Sequence, residues 1–159
     1  MSVKLRFVRG LDFSSRVISW FSAGHLSHVD AVMPDGMLLG ARSDVIQGIP
    51  TGVQVRPSRY EPVALEVVMD IPATAFQEAA FYGFLCEQLG KPYDRSAIWA
   101  FAFNRDWHDT NAWICSELQA AALESAGILP KLLEEVNKIT PVALADEVSA
   151  IRARIVTSG

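Results

Sequence analysis

Cysteine and histidine are scarce in this chain, with two cysteines, Cys86 and Cys115, and three histidines in 159 residues. So sparse a set excludes a disulfide-stapled scaffold, and its scattered positions make no metal-ligand spacing. No metal and no cofactor is expected. Long hydrophobic runs are missing too. The longest apolar cluster, Ala97 to Phe103, is too short for a membrane span, so no transmembrane segment is expected. Met1 to Gly10 alternates charged and apolar residues instead of presenting a signal-peptide core, which predicts a cytoplasmic protein with both thiols reduced. Positive charge is not in excess. The net charge of −4 argues against a nucleic-acid partner, and Lys4, Arg6, Arg9 and Arg16 read as scattered surface charge. Repeats, low-complexity tracts and charge runs are absent, so residues 1–159 are expected to form one domain. With half its residues hydrophobic, the chain can bury a sizeable core.

What is present begins with strand signals. Lys4 to Val8 alternates and suits a short strand. Asp12 or Ser14 can cap a short helix through Phe21. His28 to Met33 and Met37 to Ala41 flank Pro34-Asp35-Gly36, a hairpin turn signal. Gly52 to Pro57 and Val63 to Met69 read as two more strands, the second nearly continuous in apolar residues and therefore expected at the sheet centre. The period then changes. Thr74 and Gln77 form a capping-box pattern that opens a helix to about Leu89, ended by Gly90 and Pro92. Ala97 to Phe103 suits a second, short helix, and Asn104 to Asn111 a loop. Cys115 to Ala126 suits a third helix, stopped by Gly127 and Pro130. Thr140-Pro141 begins a last helix through about Ser149, and Ile151 to Val156 is expected to add a closing strand. Strands first and helices later predict the α+β class.

Trp113-Ile114-Cys115-Ser116-Glu117-Leu118 sets a cysteine where an apolar run turns into a helix. Unpaired N–H groups and aligned peptide dipoles at such a terminus favour the thiolate. A nucleophile needs a base, and Ser27-His28-Val29 supplies a histidine on a strand. In its order and motifs the chain resembles the circularly permuted NlpC-like branch of the papain-fold superfamily, which is distantly related to the lecithin:retinol acyltransferase group. Three segments carry the resemblance: Ser27-His28-Val29, Gly90-Lys91-Pro92-Tyr93-Asp94, and the Cys115 motif. It spans roughly Val8 to Leu129. The resemblance implies a small antiparallel sheet packed against helices, with the nucleophile at a helix N-terminus. It also implies that Cys115 attacks a carbonyl carbon, that His28 is the base, and that an acyl-enzyme forms.

The family's third polar residue, which orients the imidazole from the next strand, aligns here with Gly40, which has no side chain. Asp44, Gln54 or Asp30 can substitute through space. Strict alternation puts Asp30 on the same face as His28. Tyr93 is expected either to hydrogen-bond near the reacting carbonyl or to brace its loop. Cys86 reads as helix packing and His25 and His108 as solvated. Trp99, Phe101, Phe103 and Trp107 read as core and lid.

The expected function is a cysteine-dependent amidase or peptidase acting on a small-molecule, peptide or cell-wall (peptidoglycan-type) substrate. Two alternatives stand beside it: a catalytically silent binding or assembly module, motivated by Gly40, and a lipid acyltransferase or thioesterase. A phage- or accessory-encoded role is compatible with all three.

Overall fold

The computed structural model describes residues 1–10, 26–60, 62–94, 111–130 and 139–157. Five strands make one antiparallel sheet: β1 (Ser2–Gly10), β2 (His28–Val32), β3 (Leu38–Arg42), β4 (Gly52–Arg56) and β5 (Val63–Pro72). Their spatial order is β4-β3-β2-β1-β5. Three helices follow among the described residues: α1 (Ala75–Glu87), α2 (Cys115–Ser125) and α3 (Pro141–Thr157). The class is α+β. No helix of the described residues is long and apolar enough to cross a membrane.

The alternation of β1 to β4 divides the sheet into two unlike faces. Val3, Leu5 and Phe7 of β1, Val29 and Ala31 of β2, Leu39 and Ala41 of β3 and Val53 of β4 are all buried in one hydrophobic cluster. The helices complete that cluster with Phe81 and Leu85 of α1, Leu118, Ala122 and Leu123 of α2, and Leu144, Val148 and Ile151 of α3. Each fully buried side chain of this size contributes about 1.5–3 kcal/mol. The opposite face mixes apolar Val8, Val32 and Leu38 with a cluster of polar and charged side chains. Register sets Arg6 across from Asp30, Leu38 across from both Val32 and Arg56, and Gly40 across from Gln54. His28, Asp30, Gly40, Gln54 and Arg56 therefore share that face with Arg6.

Local chemistry explains the element ends. The β2–β3 turn closes with Met33 N–H donating to Met37 O at 2.8 Å and Met37 N–H to Asp35 Oδ1 at 2.9 Å. Its Gly36 takes φ +83°, which a side chain would oppose. The capping box of α1 forms as its sequence predicts. Gln77 N–H donates to Thr74 Oγ1 at 3.2 Å, and Thr74 N–H donates to Gln77 Oε1 at 3.0 Å.

Four expectations are corrected. Among the described residues β5 is an outer strand paired with β1 alone, and Leu65 and Val68 are exposed. Its apolar run reflects α3 packing against it on one side, not burial on both. Residues 151–156 continue α3 instead of forming a strand, because Leu144, Val148 and Ile151 bury at helical spacing. Cys86 is exposed, on the outer side of α1. Arg6 is no surface charge: it is buried and ion-paired with Glu66. The expected helices at 12–21 and 97–103, the 104–110 loop, Arg16, His25, Trp99, Phe101, Phe103, Trp107 and His108 lie outside the described residues.

Candidate active site

Cys115 is the first residue of α2, and the segment before it is tied down from three directions. Trp113 N–H donates to Pro92 O and Asp94 N–H donates to Trp113 O, both at 3.0 Å, so Tyr93 and Trp113 form a short parallel bridge. The Trp113 ring meets Phe84 of α1 edge-on at 6.1 Å, and its Nε1–H donates to Gln88 Oε1 at 3.2 Å. Glu117 reaches back to accept from Ile114 N–H at 3.3 Å and so caps its own helix. The rest of α2 is equally constrained. Ser116 Oγ donates to Ile139 O at 2.6 Å, and Gln119 Nε2 donates to Leu39 O at 3.0 Å. Ser116 thus anchors α2, its hydroxyl bonded to the segment that leads into α3.

These ties bring the Cys115 thiol beside the His28 imidazole and the Val29 backbone, near enough for Cys115 and His28 to shift one another's ionisation. Both side chains are nearly enclosed, Cys115 at 5% and His28 at 7% exposure. His28 Nε2 lies 2.9 Å from Asp30 Oδ1. With Nε2 so occupied, Nδ1 is the ring atom left to face sulfur. The order Cys115–His28–Asp30 is one in which a thiol, a base and an orienting carboxylate could act together.

The electrostatics follow from burial and pairing. Burial alone raises the Cys115 thiol, but the charge and hydrogen bond of His28, with the Val29 contact, outweigh it and hold the thiol below its ordinary value. Burial pulls His28 down, yet Asp30 first and Cys115 second leave it above the usual histidine value. The two groups therefore favour the thiolate–imidazolium pair. Burial also opposes ionisation of Asp30, but Arg56 and then His28 hold its carboxyl far below the usual carboxylate range. Arg56 itself is fully enclosed and donates from Nη2 to Asp30 Oδ1.

Of the sequence candidates for an orienting group, Asp30 alone contacts the imidazole. Asp44 is held by Arg42 in a two-point ion pair, 2.7 Å at each contact, and senses His28 only through its charge. Gln54 lies on the right face but spends its amide N–H on Pro50 O at 2.9 Å. Gly40 explains why Asp30 fits. A β-carbon built on Gly40 would sit 2.2 Å from Asp30 Oδ1, so the bare backbone leaves the carboxylate its place.

Tyr93 stands beside the thiol, close enough for the Cys115 charge to add to the burial that raises its phenol well above the usual range. Its loop is docked on β4, with Val53 N–H donating to Lys91 O and Gly90 N–H to Val53 O, both at 2.9 Å. Gly52 makes this docking possible. Its φ is +116°, and a β-carbon there would lie 2.3 Å from Lys91 O. Glu117, buried beside Asp94, is pushed up to about 7, chiefly by desolvation.

Sequence reasoning missed Arg56. Its only trace there is position: counting by twos along β4 from Gln54 reaches it, on the face that also carries His28 and Asp30. No group of histidine, cysteine and carboxylate side chains that could hold a metal ion occurs among the described residues. No protein-family model and no curated protein sequence matches the chain.

Proposed function

We propose that the chain is a cysteine-dependent amidase or peptidase on the circularly permuted NlpC-like, papain-type plan. The observation that carries this reading is the convergence of Cys115, at the start of α2, on a buried His28 that is itself hydrogen-bonded to Asp30 at 2.9 Å. The order of the histidine and cysteine segments and the Tyr93-Asp94 loop support the same plan.

In the proposed reaction His28 Nδ1 takes the thiol proton and the Cys115 sulfur attacks the carbonyl carbon of an amide. A tetrahedral adduct forms, with its oxyanion facing N–H groups at the start of α2 and the Tyr93 hydroxyl. The imidazolium returns the proton to the departing amine as the C–N bond breaks, leaving a thioester. Water, deprotonated by His28, then attacks that thioester and frees the carboxylic acid and the thiol. Asp30 accepts from Nε2–H throughout and keeps the ring in the tautomer this cycle needs. The substrate class ranked first is a peptide or peptidoglycan-type amide. The silent-module reading is motivated by the missing side chain at Gly40; the Asp30 carboxylate 2.9 Å from His28 Nε2 supports the hydrolase reading over it.

The test is iodoacetamide labelling of the folded protein across pH, with exposed Cys86 as the standard in the same tube. Cys115 is expected to label faster than Cys86 well below the ordinary thiol pKa of about 8.5, and His28→Ala to abolish the difference. Labelling of Cys115 no faster than Cys86 at any pH overturns the proposal.

A further inference from the structure

The Asp30 carboxylate beside His28 does not stand alone, and three atoms meet in one small triangle. His28 Nε2 is 2.9 Å from Asp30 Oδ1 and 2.9 Å from Arg56 Nη2, and Nη2 in turn bonds Oδ1. A guanidinium only donates, an ionised carboxylate only accepts, and an imidazole nitrogen does one or the other. Nε2 can therefore give its proton to Oδ1 or take a hydrogen bond from Nη2, but not both. Only the first arrangement leaves Nδ1 free to receive the thiol proton. Whichever group holds Oδ1 in line with Nε2 thus decides whether His28 is a base toward Cys115.

Arg56 is built to do this. It is fully buried, its Nη1 donates to Gly40 O at 3.4 Å, and its guanidinium lies over the Tyr60 ring, 5.0 Å from the centroid. It is also the main opposite charge that keeps Asp30 ionised. The other charged groups about the ring are placed less directly. Arg6 Nη1 is 3.9 Å from Asp30 Oδ2, the far oxygen. Asp44 is turned to Arg42, Tyr93 is near enough to Cys115 to feel its charge, and Cys115 is the partner being activated.

We propose that Arg56 is a positioning residue for His28. It pins the Asp30 carboxylate in the space left open at Gly40, so that Nε2 keeps its proton and Nδ1 faces the thiol as a base. The inference rests on the cysteine-hydrolase reading above and adds to it a residue that never touches substrate.

The experiment uses the full chain and two readouts: the Cys115-to-Cys86 labelling ratio at about pH 6, and the His28 ring nitrogens by proton–nitrogen NMR. Arg56→Met is expected to cut the Cys115 rate by about tenfold or more, in the range typical of losing an oriented base. It is also expected to erase the hydrogen-bonded Nε2–H signal. If that variant does not fold, the double variant Asp30→Asn with Arg56→Met is read instead. It removes both buried charges together, which spares the fold. It is read against Asp30→Asn alone, so a further loss of rate and signal reports the missing guanidinium, and a double variant equal to Asp30→Asn overturns the proposal. Arg56→Met, folded and with the wild-type rate and His28 signal, overturns it as well, and in either case the hydrolase reading stands. Wild-type Cys115 that labels no faster than Cys86 overturns both.

Discussion

Gly40 and Asp30 exclude one another as side chains: the carboxylate oxygen of Asp30 lies 2.2 Å from where a β-carbon on Gly40 would be. Alanine is the smallest side chain that tests this. Gly40→Ala is expected to push Oδ1 off Nε2, lower the Cys115 labelling rate at acidic pH, and destabilise the fold by about 1–3 kcal/mol through overpacking. Labelling kinetics and urea unfolding measure the two effects separately. A wild-type rate in the variant would show that the ring needs no carboxylate.

A thiol held low and an imidazole held high define two different pH limits. Labelling needs only the thiolate, so its rate is expected to rise at a pH below the ordinary thiol range and then level off. Amide cleavage also needs the imidazolium as proton donor. It is expected to follow a bell, rising as the thiolate forms and falling as His28 loses its proton above the usual histidine value. Comparing the two profiles on one sample checks this. Superimposable profiles would mean that His28 does not supply the leaving-group proton.

Tyr93→Phe separates the two roles open to this side chain. If its hydroxyl meets the developing oxyanion, amide cleavage falls by about 10²–10³, while iodoacetamide labelling, which forms no oxyanion, stays within twofold or so. If Tyr93 braces its loop, both rates fall together and the melting temperature drops. Cleavage of a peptide amide and labelling of Cys115, measured in parallel, distinguish the two.

Glu117 makes the fold itself pH-sensitive. Its carboxyl is raised from 4.5 to about 7 in the folded chain, so between these values the folded state binds more protons than the unfolded one. Stability from this group is therefore fully present below about pH 4.5 and declines as pH rises toward 7, by roughly 3 kcal/mol in all. Glu117→Gln keeps an acceptor for the Ile114 N–H and removes the titration. Urea unfolding from pH 4 to 8 is expected to show a flatter profile for the variant and greater stability than wild type at the upper end. Parallel profiles would refute the assignment.

Much of the frame was legible because it is written in local chemistry. The Thr74–Gln77 cap, the turn at Gly36 and the helix beginning at Cys115 depend on a few neighbouring residues, and each falls where its residues predict. The errors came where the decision belongs to partners distant in sequence. The apolar run of β5 cannot say that, among the described residues, only β1 pairs with it, and the alternation of residues 151–156 fits a strand as well as the turn of helix that forms. The site was half visible. His28 and Cys115 stand in marked motifs, and Asp30 follows from alternation. Arg56 shows only once β4 is laid beside β3 and β3 beside β2, which no run of residues encodes by itself.

β5 also carries a liability. One whole side of this ten-residue strand has no ladder partner among the described residues, and Val68 is exposed. Such a border invites a foreign strand to dock by backbone pairing. Glu66, Asp70 and the closing Pro72 are the features that discourage stacking of one molecule on the next. Replacing those two acidic residues with apolar ones would leave this rim open to stacking, while Cys115, His28 and Asp30 stand away from it on α2 and β2.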